Sequence, residues 1–290
     1  MQEQKKILVF GADGQLGTAI MQLSTHFPAY DITGKTIEDL DLTNFEAVEQ
    51  TLATEKPHLI INCAAYTAVD NAETDKKTCF EINVYAIENI AKICKKQNIF
   101  LVHISSDYVF EGKNYKPYLE SDSVKPIGVY AQSKLLGEQA ILSVKPKSII
   151  IRTSWLYSFT GKNFVKTMLK LGKERNELSV VFDQIGSPTY APDLAKAILN
   201  IAGKLNKQKA EIYHFSNEGV TSWYDFAKEI IMLSGRDCKI LPIETKDFPT
   251  PATRPHFSVL NKKKIKNEFE IEIPHWKDSL ILCLEKLKET

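Results

Sequence analysis

Ile7-Leu8-Val9-Phe10-Gly11-Ala12-Asp13-Gly14-Gln15-Leu16-Gly17 decides the fold. Four consecutive apolar residues mark a strand buried on both faces, because successive side chains point to opposite sides of a sheet. The run passes without a linker into glycines spaced Gly-x-x-Gly-x-x-Gly. Leu16, Ala19, Ile20 and Leu23 then fall at i, i+3, i+4 and i+7, the apolar stripe of a helix. Strand, glycine turn and helix form the context of a dinucleotide site. Glycines let the backbone approach a pyrophosphate closely, and the helix N-terminus attracts it. Gly11, Gly14, Gln15, Leu16 and Gly17 are the candidate phosphate-turn residues.

The following chain repeats the unit. A second strand is expected near Tyr30 to Thr33, ending in Gly34-Lys35-Thr36. An acidic residue there would hold ribose hydroxyls; Lys35 instead suits a 2′-phosphate, which points to NADPH, with NADH as the alternative. In Asp41-Leu42-Thr43-Asn44, Thr43 or Asn44 suits a helix cap. His58 to Cys63 reads as a third buried strand. Small residues follow it, Ala64, Ala65 and then Tyr66-Thr67, leaving room for a cofactor at the strand's carboxyl end. Phe80, Val84, Ile87, Ala91 and Cys94 predict one long helix. Ile99 to Ile104 is a fourth strand, with the hydroxyl of Ser106 and the carboxyl of Asp107 just beyond its apolar run. Ser148 to Thr153 is a fifth, ending at Ser154-Trp155. Alternating strands and helices predict an α/β fold, a doubly wound parallel sheet of the Rossmann kind. The alternation fades after about Trp155. Residues 1–155 are therefore expected to form a dinucleotide-binding domain. Residues 156–290 are expected to be mainly a smaller C-terminal α+β substrate lobe, with about 190–216 packing back on the first.

Tyr130-Ala131-Gln132-Ser133-Lys134 places a phenol and an ammonium one helical turn apart, on one helix face. A neighbouring cation favours the phenolate, so Lys134 is expected to lower the Tyr130 pKa and ease proton transfer. Ser106 supplies a hydroxyl that can donate to a substrate carbonyl. Arg254, between prolines, has the fork that matches phosphate oxygens and reads equally as a surface arginine. Asn83 is a candidate brace for the Tyr130 helix.

Composition narrows the function classes. Lys plus Arg number 37 against 36 Asp plus Glu, so no polyanion surface and no nucleic-acid partner is implied. Five scattered cysteines without a Cys-x-x-Cys pair suit reduced thiols in a cytoplasmic protein. No apolar run approaches the ~20 residues of a membrane span, and Ile7 to Phe10 is too short for a signal peptide core. His58, His103, His214 and His256 show no metal-ligand spacing.

Several stretches resemble the dTDP-4-dehydrorhamnose reductase family, within the extended short-chain dehydrogenases/reductases. They are Asn62 to Asp70, Ser105 to Phe110, Arg152 to Tyr157, Gly186 to Thr189, Ser216 to Gly219 and Arg254-Pro255, in the family's order. The resemblance implies NAD(P)H-dependent reduction of a dTDP-4-keto sugar, with catalytic residues Ser106, Tyr130 and Lys134. It implies cofactor contacts at Gly14, Gln15, Leu16, Asp41, Leu42, Ala65, Tyr66 and Thr67, and sugar-nucleotide contacts at Ser106, Asp107 and Trp155. Some members bind Mg²⁺ at a dimer interface through a glutamate two residues after the third glycine. Ala19 stands there, so no metal site is expected and a monomer is favoured over a homodimer. The alternatives are a reductase of another nucleotide 4-keto sugar, and a non-catalytic NADP-binding regulatory subunit.

Overall fold

The structure, a computed structural model, describes residues 4–205 and 209–289. The first half alternates strands and helices: β1 (Lys5–Phe10), α1 (Gln15–Leu23), β2 (Tyr30–Lys35), α2 (Phe45–Glu55), β3 (Leu59–Asn62), α3 (Lys76–Phe80), α4 (Ala86–Gln97), β4 (Phe100–Ser106), α5 (Val129–Val144) and β5 (Ser148–Thr153). Shorter strands and further helices follow: β6 (Leu156–Tyr157), α6 (Phe164–Glu174), β7 (Glu177–Val181), β8 (Ile185–Gly186), β9 (Thr189–Tyr190), α7 (Ala191–Ala202) and β10 (Glu211–His214). The chain closes with β11 (Thr221–Ser222), α8 (Trp223–Leu233), β12 (Lys239–Ile243), α9 (Lys263–Phe269) and α10 (Trp276–Glu289).

Six parallel strands in the order β10-β5-β4-β3-β1-β2 make the central sheet. The apolar run of β1 is split between its two faces. Ile7 and Val9 pack with α1 and α7, whereas Leu8 and Phe10 pack with α2 and α4. The chain leaves β1 toward β2 on one side and returns through β3 on the other. Such a reversal opens a crevice at the strands' carboxyl ends, where ligands of this fold bind.

α7 lies on α1, and β10 pairs with β5 in the register Tyr213↔Ile151. Ile265, Phe269 and Ile273 join the same core, so the return to the sheet extends past the expected 190–216. Another core unites Tyr157, Val165, Met168, Phe226, Ile230, Trp276 and Leu280 of α6, α8, α10 and β6.

Three features depart from the sequence expectation. The helix predicted through Phe80 and Cys94 widens into a π turn at Glu81–Tyr85, between α3 and α4. β12 pairs in parallel with β7, Ile240 opposite Leu178. Its Pro242 hides it from a reading by pattern, since proline fits only where no ladder donor is needed. α9 is a lysine-rich stretch whose only buried residues are Ile265 and Phe269, too few to print a helical stripe.

Candidate active site

A cleft of about 600 Å³ opens at the carboxyl ends of β1, β3, β4 and β5. Gly11, Gly14, Gln15 and Leu16 line it, as do Lys35, Asp41 and Leu42. Ala64, Ala65 and Thr67 line it from the end of β3. Ser106, Asp107, Tyr130, Lys134 and Trp155 line it as well. Gly17, Tyr66 and Arg254 are not among the lining residues.

The phosphate turn is held by β2: the N–H groups of Gly11 and Ala12 donate to the Lys35 carbonyl at 3.0 and 3.2 Å. Gly11 sits at φ +70, and a Cβ there would lie 2.8 Å from the Ala64 backbone. Gly17 is a packing glycine, because a Cβ on it would stand 2.1 Å from the Gly11 carbonyl oxygen. The N-cap of α1 is Gly14, and no side chain caps the helix. Its first amides are therefore free for an anion, and the helix dipole favours one. A dinucleotide diphosphate fits this cradle, and the small side chains at 64 and 65 leave it space. Asp41 Oδ1 accepts from the Thr43 N–H and hydroxyl at 2.8 and 2.7 Å, and Asn44 caps α2 through the Ala47 N–H.

Lys35 lies 3.4 Å from Glu55, whose other oxygen pairs with Lys6. A 2′-phosphate can compete for Lys35 because the Glu55 carboxylate already has a second cation. Lys35→Ala is expected to cut the preference for NADPH over NADH by about ten- to a hundredfold, the worth of one charged hydrogen bond. The ratio of kcat/KM for the two cofactors measures it; an unchanged ratio would remove Lys35 from cofactor selection.

Tyr130 and Lys134 share one face of α5 and are both buried, with Ser106 buried opposite at the end of β4. The start of α5 is fixed from outside. Glu73 accepts the Val129 N–H at 2.8 Å, and glycine at 128 (φ +87) leaves it room. Asn83, in the π turn, donates to the Ser133 hydroxyl at 2.9 Å and to the Tyr66 carbonyl at 3.0 Å. It also accepts the Tyr66 N–H at 2.9 Å. Asn83 thus ties the end of β3 to the Tyr130 helix. The backbone passes so close to Gly137 that a Cβ there would lie 2.4 Å from the Asn83 carbonyl.

Electrostatics at the site correct one expectation. Burial pushes the Tyr130 phenol up, and the Ser106 hydroxyl pulls it part of the way back toward ionisation. Lys134 does not offset that burial. Its ammonium donates to the Ile104 carbonyl at 2.8 Å, and burial lowers its own pKa to about 8 against the opposing pull of Glu138. Desolvation outweighs the one-turn charge pairing that sequence spacing suggests. Tyr130 is therefore held as a neutral phenol, the protonation state of a proton donor.

Trp155 stacks face to face on Trp223, with ring centroids 3.6 Å apart. Its backbone is in the left-handed region at φ +49, a strained position for a bulky residue that surrounding packing must enforce. Gly186 makes that packing possible, since a Cβ there would lie 2.5 Å from the Trp155 ring.

The family model described as RmlD substrate binding domain matches residues 5–289. A dTDP-4-dehydrorhamnose reductase of Aggregatibacter actinomycetemcomitans is 40% identical, over 95% of this chain and 97% of its own. The chain belongs to the dTDP-4-dehydrorhamnose reductase family. A spore coat polysaccharide biosynthesis protein of Bacillus subtilis is 39% identical, over 95% of each chain. Among solved structures, a dTDP-4-dehydrorhamnose reductase of Bacillus anthracis, in complex with NADP, is 38% identical with a TM-score of 0.92. The match covers 98% of this chain and all of that one.

The motifs shared with this family divide into chemistry and scaffold. Asn217, of Ser216 to Gly219, accepts the Tyr190 N–H and donates to Asp193, Ser279 and the Pro274 carbonyl, so it locks α7 to α10. Ser187 accepts from Ser154 at its carbonyl and donates to Gly219. The fork of Arg254 grips Asp70 at 3.0 and 2.6 Å, and Asp70 also accepts the Ala252 N–H. These bonds clasp the C-terminal segment to the loop after β3. Ala19 is buried in the packing face of α1. Among the described residues no group of three His, Cys, Asp or Glu side chains is placed to hold a metal, and no helix is long and apolar enough to cross a membrane. Sequence reading missed Lys162, which also lines the cleft beside a loop fastened to Gln15 by Asn163 at 2.9 Å. A lysine in a polar loop carries no pattern that would single it out.

Proposed function

We propose that the protein reduces the C4 ketone of dTDP-4-dehydro-6-deoxy-L-mannose to dTDP-L-rhamnose with NADPH, the last step in making this activated sugar for cell-surface polysaccharide. The carrying observation is that Ser106, Tyr130 and Lys134 converge on one cleft with an uncapped, glycine-lined helix start. Family membership supports the substrate class, and the NADP complex of the Bacillus anthracis relative supports the cofactor. The Bacillus subtilis relative, named for spore coat polysaccharide biosynthesis, supports the process.

Gly11, Gly14, Gln15 and Lys35 would hold the cofactor's phosphates, with Ala64, Ala65 and Thr67 beside it. When bound, the reduced nicotinamide supplies a hydride to the ketone carbon. Ser106 donates a hydrogen bond to the ketone oxygen and stabilises the charge that grows there. Tyr130 then gives that oxygen its proton. An alkoxide is a stronger base than a phenolate, so the transfer runs downhill even with the phenol raised by burial. Lys134 places a positive charge beneath the site, anchored on the Ile104 carbonyl. Trp155, with Trp223 behind it, walls the sugar pocket. Residues 1–155 carry the cofactor, and 156–290 mainly the sugar nucleotide.

Incubating the protein with NADPH and a panel of dTDP-, UDP- and GDP-linked 4-keto sugars tests the reading. Loss of reduced-nicotinamide absorbance with the dTDP-linked 6-deoxy sugar is expected. Turnover confined to another nucleotide would reassign the substrate, and none with any sugar would favour a regulatory subunit.

A further inference from the structure

We propose that Lys162 is the cation that holds the diphosphate of the bound cofactor, reaching it from the second half of the chain. The inference rests on the reductase reading above and adds a binding residue to it. Lys162 is an exposed residue of the loop between β6 and α6, and it lines the cleft.

Three cations line that cleft: Lys35, Lys134 and Lys162. Two of them are engaged. Lys35 pairs with Glu55 and is placed for a 2′-phosphate. Lys134 is buried and donates to the Ile104 carbonyl. Lys162 has no ion-pair partner among the described residues. The phosphate turn brings no cation of its own. Its charged side chain is Asp13, a carboxylate that lines the same cleft, and α1 opens with Gln15-Leu16-Gly17-Thr18. The helix dipole offers a bound anion only about half a charge. A diphosphate carries two negative charges, so the countercharge comes from outside α1 and its turn. Lys162 is the cation free to supply it, as a point charge on a flexible stem.

The fastening of its loop assigns the lysine to the cofactor's diphosphate, not to that of the sugar nucleotide. The residues on both sides of Lys162 touch Gln15, the first residue of α1. Asn163 Nδ2 donates to Gln15 Oε1 at 2.9 Å. Gly161, at φ +67, passes so close that a Cβ on it would stand 3.0 Å from Gln15 Cγ. Asn163 also donates to the Ser158 carbonyl at 2.6 Å and accepts the Lys166 N–H at 3.1 Å. The loop is therefore closed on itself before a ligand arrives, and little further ordering is needed on binding. α6 follows directly and packs Val165 and Met168 into the core of the second half. The cofactor is thus gripped from both halves of the chain, by the phosphate turn on one side and Lys162 on the other.

Calorimetric titration of the wild type, Lys162→Gln and Lys162→Arg with NADPH, NADH and adenosine 2′-phosphate tests this. The two cofactors carry the diphosphate, and adenosine 2′-phosphate does not. Lys162→Gln should weaken NADPH and NADH by the same factor, about three- to tenfold, between the worth of an exposed ion pair and that of a charged hydrogen bond. Adenosine 2′-phosphate should bind as before, and Lys162→Arg should restore the loss. Added salt should narrow the gap between Lys162→Gln and the wild type. The common factor separates Lys162 from Lys35, whose loss is confined to NADPH. Cofactor affinities in Lys162→Gln equal to those of the wild type would overturn the proposal and leave the reductase reading standing. So would a loss confined to the KM of the sugar nucleotide, which would move the lysine to the other diphosphate. A wild type that bound neither cofactor would sink both.

Discussion

Tyr130→Phe is expected to lower turnover by about 10²–10⁴-fold, the usual worth of a positioned acid, while cofactor affinity stays close to wild type. The substitution removes one hydroxyl and keeps the ring. That ring packs edge-on against Tyr108, with centroids 5.4 Å apart, in a cluster with Ala72, Cys79 and Val129. Phenylalanine preserves this contact, so α5 and the cleft keep their form. The phosphate turn lies on a different element and is untouched. The loss should therefore appear in kcat, measured by steady-state oxidation of NADPH, and not in the cofactor Kd, measured by fluorescence titration. A variant reducing the ketone near the wild-type rate would remove Tyr130 from the chemistry. A variant that no longer bound cofactor would show the phenol to be a binding group instead.

Glu138→Ala is expected to destabilise the protein by about 3–5 kcal/mol, because it strands a buried cation. Arg152 and Glu138 are 2% and 1% exposed. The guanidinium Nε and Nη2 donate to the two carboxylate oxygens at 2.8 and 2.6 Å, and the Ser105 hydroxyl adds a third bond at 2.5 Å. Arg152 also lies over the Phe110 ring, 5.0 Å from its centroid, and its Nη1 is already without a partner. Once the carboxylate is gone, the remaining counter-charge is the electrostatic pull of Glu120, which already feels Arg152. Replacing both members together, Glu138→Leu with Arg152→Met, should recover most of the loss, since matched apolar side chains remove both desolvation penalties. Urea unfolding measures both variants. A loss below about 1 kcal/mol in Glu138→Ala would place the pair with exposed ion pairs and contradict its isolation. Glu138 also supports the charge of Lys134, one turn away on α5, so the single variant reaches the catalytic helix as well as the core.

How much of this was legible in the sequence depended on range. The β1 run, the glycine turn and the α1 stripe are contiguous, so their pattern is the structure. Tyr130 and Lys134 are four apart on one helix, and periodicity alone puts them on one face. The supports of that helix were not legible, because they join residues far apart in the chain. Glu73 reaches Val129 across 56 positions, Asn83 reaches Ser133 across 50, and Asp70 reaches Arg254 across 184. Asn83 stood out only as a candidate, since its π turn leaves the apolar stripe of the helix nearly unbroken. The Lys134 expectation failed for a different reason. Spacing shows which charges are near, but burial decides which effect wins, and burial is a property of the assembled fold. The Asp70 partner of Arg254 was not legible either, because the two lie on segments that only the fold brings together.

The central claim is that this cleft delivers hydrogen to C4 of a dTDP-linked 4-keto sugar while the chain supplies the proton. The most direct measurement is label transfer. NADPH carrying deuterium at the transferable position of nicotinamide C4 is incubated with the protein and dTDP-4-dehydro-6-deoxy-L-mannose, and the product is read by mass spectrometry and proton NMR. The account predicts dTDP-L-rhamnose with a single deuterium at C4 and equimolar consumption of cofactor and sugar. Product lacking deuterium at C4, or cofactor left unconsumed with this sugar, would contradict it.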